Sequence, residues 1–154
     1  MAGAISEEAA HRAYRIALQH IEAVLGDDTT FMQDLEKVGR GLFGRKWGGV
    51  WPSDRIPTLT AAKPYAILNV DKSGLPGSHW VAIAKDGPGV FMYDSFARPA
   101  KSLIPNLKLS GNGPVRAEVA ADVEQAEAEN NCGPRALAWL AVADILGLPA
   151  AKLI

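Results

Sequence analysis

One long apolar segment constrains this chain more than any other feature. Residues 136 to 146 read ALAWLAVADIL, and Asp144 is the only charged side chain among them. Pro134 suits a first helical turn, and Gly147 suits the position just beyond a helix. We therefore predict a helix over residues 133 to 146. A helix that is apolar nearly all round is normally buried, so this one should lie inside the fold.

The only cysteine of the chain, Cys132, stands directly before this helix. Unpaired amide groups give a helix N terminus roughly half a positive charge, which stabilises a thiolate there. Thiols at such positions titrate below the free value of about 8.5 and are nucleophilic near neutral pH. On these residues alone, a nucleophile and a small buried apolar side chain are equally good interpretations of Cys132. A lone cysteine also fits a reducing compartment.

A histidine and an acid lie upstream in a predictable arrangement. Residues 80 to 94 read as two strands joined by the turn signal at 86 to 89. A hairpin closed by this loop places Val81 opposite Asp94, with His79 diagonal to Asp94 on one face of the sheet. Diagonal neighbours stand about 7 to 8 Å apart, within reach of a shared hydrogen bond. Such a pair fixes the imidazole tautomer and keeps the ring basic enough to take a proton from a thiol.

The sequence gives weaker evidence for a catalytic role of the other polar residues. Gln125, seven residues before Cys132, has a side-chain amide able to donate to an oxyanion, but it fits an exposed helical face equally well. His11 and His20 lie in a charged amphipathic stretch and are expected to be solvated helix residues. Three scattered histidines and one cysteine have no metal-ligand spacing, so we expect neither a metal nor another cofactor.

Taken in order, these motifs resemble a known family. Adenovirus-type cysteine proteases carry an ordered His, Asp/Glu, Gln, Cys signature, and their clan also holds proteases specific for ubiquitin-like modifiers. A Gly-Val-aromatic, Asp, Pro stretch precedes the histidine strand in the viral branch. The similarity covers about residues 40 to 147, and its motifs are residues 49–57, 77–84, 93–96, Gln125 and 131–133.

The resemblance implies a role for each matching residue. Cys132, His79 and Asp94 would form a catalytic triad, with Gln125 in the oxyanion hole. Substrate-binding positions would be Trp80, which would wall the groove, together with Trp51 and Asn131. From the residues alone, Trp51 fits a core position as well as a groove.

The activity implied by the resemblance is that of a cysteine endopeptidase. Its substrates would be extended polypeptides cut beside small residues such as glycine, during maturation of viral capsid or core precursors. The setting would be the host cytoplasm or nucleus and the virion. Two alternatives stay open: a protease for ubiquitin-like modifiers, and a catalytically inactive binding or capsid-associated module.

Two departures from the family limit the possible partners. With no second cysteine, a disulfide-linked peptide activator is not expected. The net charge of −1 gives no global attraction to phosphate, although the basic residues Arg40, Arg45 and Lys46 leave DNA binding open.

Only 22 residues follow Cys132, which leaves little room for the elements that follow the nucleophile helix in larger members of the family. The chain would therefore be a compact member, or one in which the first 40 or so residues take over the packing role of those elements.

Length and patterning predict one soluble α+β domain. Its centre would be a mostly antiparallel sheet flanked by helices, because the strands are apolar on both faces. Within residues 1–154, we expect a helical extension over 1–40 and a catalytic core over 41–154. Helices are predicted over 6–25 and from a capping box at Thr30 and Gln33 to about Val38, and residues 39–64 read as loop-rich. No apolar run of 18 residues and no secretory leader is found, so no membrane association is expected.

Overall fold

The computed structural model describes residues 5–26, 32–70, 79–95, 111–116 and 132–154. The helices are α1 (Glu7–Leu25), α2 (Met32–Phe43), α3 (Cys132–Leu146) and the single turn α4 (Leu148–Ala151), with a short 3₁₀ helix at Gly44–Lys46. The strands are β1 (Trp47–Trp51), β2 (Tyr65–Asn69), β3 (Trp80–Asp86), β4 (Gly89–Tyr93) and β5 (Val115–Arg116).

The strands form one five-stranded sheet in the order β1-β2-β3-β4-β5. This arrangement confirms the predicted α+β class. The sheet is mixed rather than mostly antiparallel, because β1 runs parallel to β2 and β4 runs parallel to β5. Parallel neighbours need a long connection that carries the chain back along the sheet, and residues 52–64 provide one between β1 and β2.

The β3–β4 hairpin has the predicted register, since Lys85 pairs with Val90. The strands run further than predicted, however, and Asp86 pairs with Gly89. The turn is therefore only two residues long and begins at Gly87, whose φ is 55°. Glycine adopts this conformation without strain, and turns of this kind match the right-handed twist of paired strands.

Helix α3 is buried at the centre of the molecule, as predicted, and begins one residue earlier than expected, at Cys132. Its Trp139 stacks on Phe91 and Tyr93 of β4, with ring centroids 5.6 and 5.3 Å apart. The Trp139 indole N–H donates to the Ala151 carbonyl at 2.9 Å, so the polar atom of this buried ring is satisfied. These contacts fix α3 against one face of the sheet.

The opposite face of the sheet has its own apolar cluster. It contains Leu59, Ala66, Leu68, Val81, Ile83, Val90 and Met92, and no residue of the described helices belongs to it. Leu59 and the partly buried Ile56 belong to the connection between β1 and β2, so this loop covers part of the face.

The prediction of a loop-rich region over residues 39–64 is wrong for its first half. Helix α2 continues to Phe43 instead of ending near Val38, and β1 follows the 3₁₀ helix. The glycines that suggested a loop serve packing instead. A β-carbon at Gly39 would clash with the indole ring of Trp47, so the missing side chain lets that ring lie against α2.

Helices α1 and α2 pack into the same core as α3. Helix α1 begins at Glu7, after Ser6, whose side chain accepts from the Ala9 amide at 3.1 Å. Ala10 and Tyr14 of α1 are buried in the cluster that contains α3. Within the described residues, no helix combines the length and the apolar character needed to cross a bilayer.

Candidate active site

Three elements bring the predicted triad to one end of the sheet. His79 directly precedes β3, Asp94 directly follows β4, and Cys132 is the first residue of α3. Because β3 and β4 are antiparallel neighbours, the start of one lies beside the end of the other. The His79 carbonyl accepts from the Val70 amide at 3.0 Å, which ties the histidine backbone to the end of β2.

His79 and Asp94 form the pair expected from the hairpin register. Nε2 of His79 lies 2.6 Å from a carboxylate oxygen of Asp94. The side chains are only 9% and 2% exposed, so water competes little for this hydrogen bond. So short a contact is typical of a charge-assisted hydrogen bond. The carboxylate therefore fixes the orientation of the ring.

Cys132 interacts with the same imidazole. Burial lowers the pKa of His79, but hydrogen bonds to Asp94 and Cys132, together with the charges of both, raise it above the usual 6.5. Sulfur, imidazole and carboxylate thus form a continuous row, the order that thiol activation by a histidine requires.

The N terminus of α3 adds a positive electrostatic potential beside Cys132. Cys132 is buried at 7% exposure and lies where the unpaired amides of the helix concentrate positive potential. The first turn of α3 has no acidic residue, and Arg135 lies in it. Negative charge that develops on the sulfur or on a nearby oxygen would therefore be stabilised at this position.

The other predicted site residues divide into two groups. Gln125 and Asn131 lie outside the described residues, so their roles stay predictions. Trp80 is only 4% exposed and belongs to the core cluster that contains Cys132, which leaves little of its ring to wall an open groove. Trp51 is half-buried beside a cavity along β1, and its indole N–H donates to the Gly48 carbonyl at 2.7 Å.

The basic residues noted in the sequence do not act as one patch. Arg40 pairs with Glu36 at 2.9 Å, and Lys46 pairs with Asp144 at 2.9 Å. Arg45 has no carboxylate partner within the described part of the chain. Over these same residues, no three His, Cys, Asp or Glu side chains are grouped closely enough to hold a metal ion.

One supporting cluster beside the triad was not anticipated from the sequence. The hydroxyl groups of Tyr14 and Tyr93 lie 3.0 Å apart, and Arg135 donates to the Tyr14 hydroxyl at 3.2 Å. Tyr93 immediately precedes Asp94, and Arg135 is three residues beyond Cys132. The only local signal was a charged residue, Arg135, in the first turn of a largely apolar helix, because Tyr14 and Tyr93 are 79 residues apart.

Comparison of the chain with protein-family models, with curated proteins and with solved structures finds no match.

Proposed function

We propose that this protein is a cysteine endopeptidase. The observation that carries the proposal is the buried row of Cys132, His79 and Asp94, with His79 Nε2 at 2.6 Å from the carboxylate. A histidine that is fixed by a carboxylate and bonded to a thiol at a helix N terminus has the parts needed for covalent acyl transfer.

The reaction would proceed in two steps. His79 takes the proton of the Cys132 thiol, and the sulfur attacks the scissile carbonyl carbon. The C–N bond breaks, and protonated His79 gives this proton to the leaving amine. Water then attacks the resulting thioester while His79 takes a proton from it. The C–S bond breaks, the acid product leaves and the thiol is restored. Asp94 orients the ring and stabilises its charged form throughout.

The family resemblance supports the finer parts of the proposal. It favours polypeptide substrates cut beside small residues such as glycine, an oxyanion hole that includes Gln125, and a role in the maturation of viral precursor proteins. That role would place the protein in the host cytoplasm or nucleus and in the virion. The single cysteine agrees with a reducing compartment and with activation that uses no disulfide-linked peptide.

Alkylation of the lone cysteine tests the chemistry without a known substrate. We expect iodoacetamide to modify Cys132 at pH 7, and His79→Ala to slow this reaction at least about tenfold, because the base that activates the thiol is gone. His20→Ala is the matched control, since His20 is exposed on α1. Equal rates for the wild type and His79→Ala, measured by intact mass, would contradict the proposal.

A cleavage assay distinguishes the alternatives. The wild-type protein should cut members of a mixed peptide library, and Cys132→Ala should cut none. Cleavage confined to a folded ubiquitin-like modifier with a Gly-Gly tail would favour the modifier protease instead. Slow alkylation that is independent of His79, with no cleavage of either substrate, would favour the inactive binding module.

A further inference from the structure

An open cavity of about 950 Å³ beside β1 is not used by the proposed chemistry. Strand β1 lies at the edge of the sheet. Two of its backbone groups are already bonded to side chains, because the Val50 amide donates to Glu36 at 3.0 Å and the Gly48 carbonyl accepts from the Trp51 indole. A ligand in this cavity would therefore be recognised mainly by side chains rather than by adding a strand to the sheet.

The side chains of the cavity leave two positive charges uncompensated. Glu36 is the only acidic residue among the described lining residues, and Arg40 neutralises it at 2.9 Å. Arg45 and Lys63 also line the cavity, and neither pairs with a carboxylate in the described ranges. The Lys63 ammonium donates to the Arg45 carbonyl at 3.2 Å, which holds the two residues together. The cavity is thus complementary to an acidic ligand.

The shape of the cavity favours a polypeptide as that ligand. Gly44 leaves part of its wall open, since a β-carbon there would meet no atom within 4 Å, and Trp51 and Pro57 offer apolar surface beside it. A narrow chain with carboxylates fits such a wall closely. Nucleic-acid binding usually needs several neutralised phosphates. The two cations of this cavity that pair with no carboxylate of the described residues, in a chain of net charge −1, provide few.

We propose that this cavity, here called the β1 cavity, binds an acidic stretch of the substrate at a distance from the scissile bond. The inference rests on the proposed endopeptidase function. Trp51 pairs with Leu68, and Leu68 pairs with Val81, so the three residues form one row across the sheet. Val81 is two residues beyond His79, which puts the Trp51 end of the cavity at the same end of the sheet as the triad.

The strand geometry gives the position of the acidic residues in the substrate. Two strand spacings separate Trp51 from Val81, or about 10 Å. An extended chain covers about 3.3 Å per residue, so about three residues cross this distance. About four more substrate residues reach along β1 toward Arg45 and Lys63. The carboxylates should therefore lie about four to eight residues from the bond that is cut.

Profiling of cleavage sites in a proteome-derived peptide library tests this position. For the wild type, mass spectrometry should find Asp and Glu enriched about four to eight residues from the scissile bond, on one side. In Arg45→Gln/Lys63→Gln the enrichment should fall about 2- to 10-fold, as expected for the loss of two exposed charge contacts. Residues next to the bond should keep their preference.

The matched control is Arg12→Gln/Arg15→Gln, which removes the same charge from the exposed surface of α1. This variant should retain the enrichment. Absence of the enrichment in the wild type, or its persistence in Arg45→Gln/Lys63→Gln, would overturn the inference.

A binding assay separates failure of this inference from failure of the peptidase proposal. Inactive Cys132→Ala should bind a fluorescein-labelled twelve-residue peptide with four glutamates about 2- to 10-fold more tightly than its glutamine counterpart. Arg45→Gln/Lys63→Gln should remove the difference. If the library is not cleaved but this difference appears, the cavity is an acidic-peptide site without the peptidase. Equal binding of both peptides, or tighter binding of a single-stranded DNA of the same length, refutes the acidic-peptide site.

Discussion

At the scale of single residues, the candidate chemistry depends on how His79 holds its proton. Burial alone would favour the neutral ring, because a charge is poorly solvated inside a protein. Asp94 and Cys132 act in the opposite direction and outweigh burial, so the pKa of His79 is raised. The imidazole is thereby kept ready to carry the proton that a leaving amine needs.

The raised pKa also links protonation of His79 to stability. The unfolded ring titrates near 6.5, below the value in the fold, so the folded state holds the proton more tightly. This contribution to stability is complete below pH of about 6.5 and is lost as the pH rises through the folded pKa.

The first residue-scale prediction concerns Asp94→Asn. Without the carboxylate charge, burial should dominate, so the pKa of His79 should fall and its stabilising contribution at low pH should shrink. NMR titration of the His79 ring and urea unfolding at several pH values measure the two effects. Asp86→Asn is the control, because Asp86 lies on the same hairpin but pairs with Lys152. If Asp94→Asn leaves the pKa of His79 unchanged, Asp94 does not control the ring.

At the scale of elements, the sequence predicted the features that depend on residues close together in the chain. The turn over residues 86 to 89 determined the register of β3 and β4, and that register was enough to predict the contact between His79 and Asp94. Strand β1 was not predicted, because a segment so rich in glycine is typical of a loop. Gly48 lies so close to the carbonyl of Tyr65 that a β-carbon would clash there, a requirement set by a neighbouring strand rather than by local sequence.

The same reasoning predicts opposite effects for two glycines of α2. Alanine normally stabilises a helix interior by about 0.5 to 1 kcal/mol relative to glycine. Gly41→Ala should give this gain, because a β-carbon there meets no atom within 4 Å. Gly39→Ala should instead cost about 1 to 3 kcal/mol, since its β-carbon would strike the Trp47 ring. Urea unfolding of both variants tests the prediction, and a gain from Gly39→Ala would contradict the packing of α2 on β1.

At the scale of the whole molecule, α1 is joined to two of the three elements that hold the triad, α3 and β4. It packs most extensively against α3, and Tyr14 reaches the strand end beside Asp94 through Tyr93. Arg135 connects the same hydroxyl to the first turn of α3. No local pattern could have predicted this junction, because its three members come from distant parts of the chain. The N-terminal helix is therefore part of the framework around the site.

If this junction is structural, removing the buried hydroxyl of Tyr14 should cost more stability than removing the half-buried hydroxyl of Tyr65. Tyr14→Phe removes a buried hydroxyl that bonds to Tyr93 and accepts from Arg135, so we expect a loss of about 1 to 3 kcal/mol in the free energy of unfolding. Tyr65→Phe is the matched control. Burial, followed by the charge and hydrogen bond of Asp144, raises the pKa of Tyr65 to about 12, so its hydroxyl remains a donor.

The control should be the milder change because Asp144 keeps its ion pair with Lys46 at 2.9 Å after the Tyr65 hydroxyl is removed. We therefore expect Tyr65→Phe to cost about 0.5 to 1.5 kcal/mol, the net value of an ordinary hydrogen bond. Urea unfolding of the two variants under the same conditions measures both losses. A loss for Tyr14→Phe that is no larger than the loss for Tyr65→Phe would mean that water or another side chain replaces the Tyr14 hydroxyl, and that α1 supports α3 through apolar packing alone.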